Sequence, residues 1–148
     1  MKWNELHNEA CPVARGLSVI GDRWTMLILR DCFLGIRRFE QMQHRLGITR
    51  HVLADRLRKL EADGVLRREP YQERPVRYEY RLTDKGKSLY PVLVTLIDWA
   101  NNHVPFAQGP SIALLDRDTN EPVAPKLINA RTGGEITHRT VHAVKPER

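Results

Sequence analysis

A chain of 148 residues is long enough to bury one hydrophobic core without covalent staples, and its 41% hydrophobic content is that of an ordinary globular domain. No run approaches the roughly 18 apolar residues of a membrane span, and the start MKWNELHNEACP lacks the apolar centre of a signal peptide, so a cytoplasmic protein is expected. The net charge of +6 is concentrated: residues 37–87 hold 14 Lys and Arg against 8 Asp and Glu, while the remaining residues hold 10 of each, and a surplus confined to one stretch is the footprint of a polyanion-binding surface.

In chain order, Pro12 suits the first turn of a helix, with Val13, Leu17 and Ile20 at helical spacing and Gly21 as its stop. Asp22 is placed to cap a second helix, RWTMLILRDCFLG, whose Trp24, Leu27, Ile28, Phe33 and Leu34 surround it with apolar surface and put it centrally in the core. A short third helix, FEQMQHRL, presents Phe39, Met42 and Leu46 on one face and ends at Gly47. A fourth begins about two residues later, and two helices joined by so tight a glycine-containing turn form a helix-turn-helix.

Residues 48–82, ITRHVLADRLRKLEADGVLRREPYQERPVRYEYRL, pass from a helical period to a strand period. Leu53, Leu57 and Leu60 form the buried stripe, His51, Asp55 and Arg58 the opposite one, and Gly64 sits where a C-terminal cap belongs. Val65 and Leu66 open a strand, residues 70–77 read as a turn region in which two prolines interrupt the ladder, and Tyr78, Tyr80 and Leu82 alternate along a returning strand. Thr83 can cap a last helix from about Asp84 to His103, broken near Tyr90 because Pro91 lies inside it.

Beyond residue 105 the chain changes to short apolar runs separated by DRDTNEP and RTGGE, read as the turns of a three-stranded β-meander with a loose internal repeat. The expected architecture is α+β, a winged helix-turn-helix over residues 1–105 followed by a small β-rich extension over 106–148.

For such an arrangement the helix from Thr49 enters the major groove, its N-terminus favouring phosphate and its outward side chains reaching base edges. Thr49, Arg50, His51 and Arg58 are the expected contacts there, arginine taking guanine O6 and N7 bidentately. At the hairpin, Arg74 and Arg77 flank Pro75 and suit the minor groove or its phosphates, although Arg77 could instead pair with Glu73 or Glu79. Tyr78 and Tyr80 are expected as sheet packing, and Cys32, in a strongly apolar helix, as core. No triad order, paired carboxylates or glycine-rich phosphate loop suggests catalysis, so an enzyme is not expected and no cofactor is implied. A winged-helix protein-interaction module that does not read DNA is the alternative, disfavoured by the located charge.

Taken together, CPVARGLSVIGDRWTMLILR, ITRHVLADRLRKLEADGVLRR, Tyr71, PVRYEYRLTDKGKSLYPVL and the tryptophan of IDWA resemble, in order over about residues 11–104, the HxlR family of bacterial winged helix-turn-helix transcriptional regulators, relatives of the MarR group. The resemblance implies a homodimer, formed by the first and last helices of the domain, on double-stranded operator DNA. It also implies thiol-based sensing in some members through an N-terminal cysteine, the position held here by Cys11; Arg15, one turn on, could lower the pKa of that thiol. A small aromatic or electrophilic effector is a further expectation, housed in apolar space between the Leu17, Trp24 and C-terminal helices. Where the extension of some members carries CxxC-like turns, this chain has DTNE and RTGG, and His138 with His142 do not replace a thiolate set, so no metal is expected.

Overall fold

Proline in the first turn and glycine after the last bound the first long helix: α1 spans Pro12–Ile20, preceded by a 3-10 segment, Trp3–Asn8. The computed structural model describes residues 2–147. Helix α2, Thr25–Phe33, follows a turn closed by Asp22, whose Oδ1 accepts the N–H groups of Trp24 at 2.9 Å and Thr25 at 3.0 Å while Oδ2 accepts the Thr25 hydroxyl. Asp22 thus caps α2 from two residues ahead of its first turn, satisfying donors that helix geometry leaves open.

Helices α3, Phe39–Leu46, and α4, Arg50–Ala62, form the helix-turn-helix. The turn between them requires the left-handed backbone of Gly47 (φ +61°), and Ile48 after it is buried. Leu53, Leu57 and Leu60 are fully buried along α4, against Ile28 and Leu29 of α2 and Met42 of α3. Each such side chain contributes about 1.5–3 kcal/mol of transfer free energy. Gly64 (φ +72°) ends α4, and the Val65 N–H returns to the Leu60 carbonyl at 2.9 Å.

The wing is the antiparallel pair β1, Leu66–Glu73, and β2, Val76–Leu82. The sequence places a turn over residues 70–77; in the structure pairing continues through Pro70↔Tyr78 to Glu73↔Val76, and the reversal is confined to Arg74 and Pro75, joined by a cis peptide. The ladder absorbs Pro70 by a register shift between Pro70 and Gln72 that leaves Tyr71 with no partner on β2, a β-bulge. Arg37 extends the wing at its other edge, its carbonyl accepting the Tyr80 N–H at 2.7 Å.

Thr83 caps the short α5, Asp84–Lys87, and α6 resumes over Tyr90–His103 with Pro91 in its first turn, where a missing N–H is harmless. The break expected near Tyr90 is therefore present, just ahead of it. Gly86 is buried in α5 because it passes close beneath β1: a Cβ there would lie 2.2 Å from the Val65 carbonyl oxygen.

The chain divides into two compact units, one ending at Leu93 and one beginning at Val94. In the second, a continuous three-stranded meander is not formed; among the described residues strand pairing beyond Leu82 consists of two isolated antiparallel bridges, Leu115↔Pro122 and Ile128↔Glu135. The internal repeat is much closer than the sequence alone suggests. Three backbone hydrogen bonds of the first turn recur thirteen residues later: Asp116 N–H to the Glu121 carbonyl matches Asn129 N–H to that of Gly134, Asn120 N–H to Asp116 matches Gly133 N–H to Asn129, and Val123 N–H to Leu114 matches Ile136 N–H to Leu127. The positive-φ residues correspond as well, Asn120 (60°) with Gly133 (74°). Hydrogen-bonding side chains, Asp116 and Asn129 receiving backbone N–H groups, close these turns.

Candidate nucleic-acid interface

Thr49 is the N-cap of α4, its hydroxyl oxygen accepting the Val52 N–H at 3.4 Å, which leaves the hydroxyl proton for an outside acceptor. Arg50, His51, Asp55 and Arg58 are exposed on the side of α4 away from the leucine stripe. Arg50 is held over the Phe39 ring at 4.9 Å. Arg58, 71% exposed, lies 3.6 Å from Asp55, and that carboxylate also takes Arg56 at 2.9 Å. Asp55 thereby orients both arginines.

Arg56 faces inward and joins Asp22 at 3.1 Å. Burial would push the Asp22 carboxyl up; hydrogen bonds from Thr25 and Trp24 and the Arg56 charge outweigh it and hold the group below the usual carboxylate value. Lys59 donates to the Ser18 carbonyl at 2.7 Å and to Asp63 at 2.6 Å, so it ties α4 to α1.

On the wing, Arg74 stands exposed at the reversal and Arg77, opposite Gln72, is also exposed. Neither Glu73 nor Glu79 pairs with Arg77; Glu79 binds Arg81 at 2.6 Å instead. Arg50 and Arg77, twenty-seven positions apart in sequence, line one cleft between α4 and the wing, whereas Arg58 and Arg74 lie outside it. Three residues near this cleft escape sequence reasoning. Arg38 lies 4.1 Å over the ring of Tyr71, and Arg68 sits 5.0 Å over Tyr78 while its Nε donates to Glu61 at 3.2 Å. The Glu61 hydrogen bond and charge raise the Arg68 guanidinium above its ordinary value. The Arg37-Arg38 doublet ahead of α3 was the available signal for the first; nothing in the alternation of β1 announces the bulge at Tyr71.

Cys11 is the exposed N-cap of α1, and Cys32 is buried in α2. The Arg15 guanidinium donates to the carbonyls of Glu9 and Ala10, so it braces the backbone before Cys11. Burial, with the neighbouring Asp31 charge second, pushes the Cys32 thiol up to about 12. A cavity of about 610 Å³ lined by Trp3, His7, Ser18, Asp22, Arg56 and Lys59 is more polar than the apolar space expected between helices.

The HxlR-like helix-turn-helix family matches residues 19–108. The uncharacterized HTH-type transcriptional regulator Rv3095 of Mycobacterium tuberculosis is 44% identical over 129 residues, 87% of this chain and 82% of that protein. Among solved structures, PA1607, described as a candidate transcription factor, is 38% identical with a TM-score of 0.84 and covers 95% of this chain and 99% of its own. The redox regulator HypR in its reduced form is 34% identical with a TM-score of 0.58, over 64% of this chain and 96% of that one. Among the described residues no helix is long and apolar enough to cross a membrane.

Proposed function

We propose, from the premise that this chain belongs to the HxlR-like helix-turn-helix family of DNA-binding transcriptional regulators, that it acts as a cytoplasmic homodimer on an inverted-repeat operator. Its work is binding, not catalysis. The observation that carries this reading is the exposed polar face of α4, with Thr49, Arg50, His51 and Arg58 on the side opposite the buried leucines, beside a wing that ends in exposed Arg74. In the reading, Thr49, Arg50, His51 and Arg58 meet the bases and nearby phosphates of one major groove, and Arg74 and Arg77 meet the flank. Two protomers place their α4 helices about one helical turn, roughly 34 Å, apart.

Dimerisation is supported by apolar side chains left exposed near both ends of the family match: Trp3, Val13 and Leu17 before it, Leu96 and Trp99 on α6. Control by thiol oxidation is supported by the exposed Cys11 and by the likeness to a redox regulator. Control by a small aromatic or electrophilic compound is the parallel reading, for which the 610 Å³ cavity offers space.

A mobility-shift assay on duplexes from upstream of its own and neighbouring genes tests the function. The full chain should prefer one of them over random DNA, and Arg50→Ala with Arg58→Ala should erase that preference. Equal binding to all sequences by the unaltered protein would overturn sequence-specific reading. Size measurement in solution should return twice the chain mass. Cys11→Ser should abolish any effect of an oxidant on binding, and a thermal-shift screen of aromatic compounds and aldehydes tests the effector.

A further inference from the structure

The cleft between α4 and the wing encloses about 300 Å³ and is lined by Arg50, Tyr71, Arg77, Tyr78, Phe39 and Glu40. The arginines in and beside it fall into two kinds. Arg68 stacks on Tyr78, but an edge of its guanidinium is engaged by Glu61. Arg38 and Arg50 stack on Tyr71 and Phe39 and have no carboxylate within ion-pair distance among the described residues; the same holds for Arg77.

That difference has chemical content. A guanidinium binds an aromatic ring through its face and an oxyanion through its edge, where the N–H groups project in plane. Stacking therefore fixes the group while leaving its donors available, which lowers the entropy lost when an anion arrives. The bulge produces this arrangement: because Tyr71 has dropped out of register, its ring meets Arg38, a residue on a different segment, instead of a cross-strand neighbour. The Arg37 carbonyl bond to Tyr80 anchors that segment to the wing. Glu40 is the opposing charge in the cleft, outnumbered by Arg50 and Arg77 within it and Arg38 beside it.

We propose that this cleft and its rim are a seat for a backbone phosphate of duplex DNA, with Arg38, held over the ring of the bulged Tyr71 beside the cleft, as its principal donor and Arg50 and Arg77 completing it. Seated there, the strand is gripped between the reading helix and the wing, and the contact fixes register without carrying base information. The proposal rests on the DNA-reading function above and adds to it a phosphate site and its residues.

The test is fluorescence anisotropy of the full chain on a duplex from its own upstream region and on a random duplex, between about 50 and about 200 mM salt. One lost phosphate contact lowers the salt slope by about 0.9, so the affinity advantage of the unaltered protein over Arg38→Ala should shrink about 3.5-fold across that range. The loss should be equal on both duplexes. Tyr71→Phe should bind as the unaltered chain does, and Tyr71→Leu should reproduce part of the Arg38→Ala loss, with melting temperatures confirming that each variant is folded. An unchanged slope for Arg38→Ala, a loss confined to one duplex, or full binding by Tyr71→Leu overturns the seat while leaving the regulator reading intact. If the unaltered chain binds neither duplex at the lowest salt, the regulator reading fails and the seat with it.

Discussion

The Asp31 carboxylate, fully buried on α2, accepts Nε of Arg45 from α3 at 3.3 Å and the Arg30 guanidinium at 2.9 Å. A charge this deep is held by its two arginines, both of which reach solvent, and the pairing sets how α3 lies on α2. Since α4 follows α3 after only the Gly47–Thr49 turn, the angle at which α4 leaves the core depends on it.

Arg45→Ala should therefore lower stability by about 1.5–3 kcal/mol, the range for a lost hydrogen bond to a charged group. Urea unfolding measures it. A midpoint unchanged within error would mean that Arg30 alone satisfies Asp31.

Gly86→Ala separates local propensity from packing. In an exposed helix the change is worth about 1 kcal/mol in favour of alanine. Here the new Cβ meets the Val65 carbonyl oxygen at 2.2 Å and a Leu82 methyl at 3.0 Å, so the backbone of α5 or of Val65, just ahead of β1, must shift. The expected outcome is a loss of about 1–3 kcal/mol, read as a fall in melting temperature. A rise would show that α5 moves away without penalty.

The two thiols should differ sharply toward a thiolate-selective alkylating reagent at pH 8. Cys11 is exposed, while Cys32 is buried with its pKa pushed up to about 12, so one thiol should react quickly in the native chain and the second only after unfolding. The same shift has a sign for stability. Above the ordinary thiol value of 9.0 the unfolded chain releases the proton and the folded chain keeps it, so stability should decline as pH rises from there toward 12. Cys32→Ala should flatten that decline, as followed by urea unfolding at stepped pH.

Asp22 works in the opposite direction. Its carboxyl is held below the ordinary 3.8, so its contribution is present above that value and is lost as pH falls through the lowered one. Asp22→Asn keeps a capping oxygen but loses the charge facing Arg56 and the acceptor of the Thr25 hydroxyl, so it should weaken the native chain at neutral pH by about 1 kcal/mol and by less near pH 3.

For DNA, Arg58→Ala should relax discrimination at a base pair by about 1–3 kcal/mol, whereas Arg74→Ala should weaken binding alike on all sequences and reduce the salt slope by about one. Competition binding on single-base variants of a bound duplex distinguishes the two. A sequence-selective loss for Arg74→Ala would move it from the flank to the base-reading group.

Much of this fold is legible because its punctuation is local. Pro12, Gly47 and Gly64 bound helices by requirements on their own backbones, and the leucine spacing of α4 names its buried face without reference to any other segment. What escapes depends on meetings between distant segments. The Tyr71 bulge exists only relative to β2, the Gly86 approach only relative to Val65, and the contact of Arg38 with the Tyr71 ring only once that bulge is in place. For the candidate site, the exposed face of α4 follows from periodicity, but which arginines keep free edges could not be read before their carboxylate neighbours were known. Arg58 and Arg68 carry such neighbours; Arg38 and Arg50 do not.

The paired turns of the C-terminal segment bear on how the chain acquires its shape. Each closes its bonds within ten residues, Leu114–Val123 and Leu127–Ile136, whereas the Lys59 bond to Ser18 joins positions 41 apart. Closing a loop of that shorter kind takes on the order of 10–100 ns, while partners far apart along the chain must be found through a slower search. The two turns can therefore form, and re-form after being pulled open, without waiting for the helices. A temperature-jump experiment should resolve them as a fast phase insensitive to Leu57→Ala, which slows or destabilises only the assembly of the helical core.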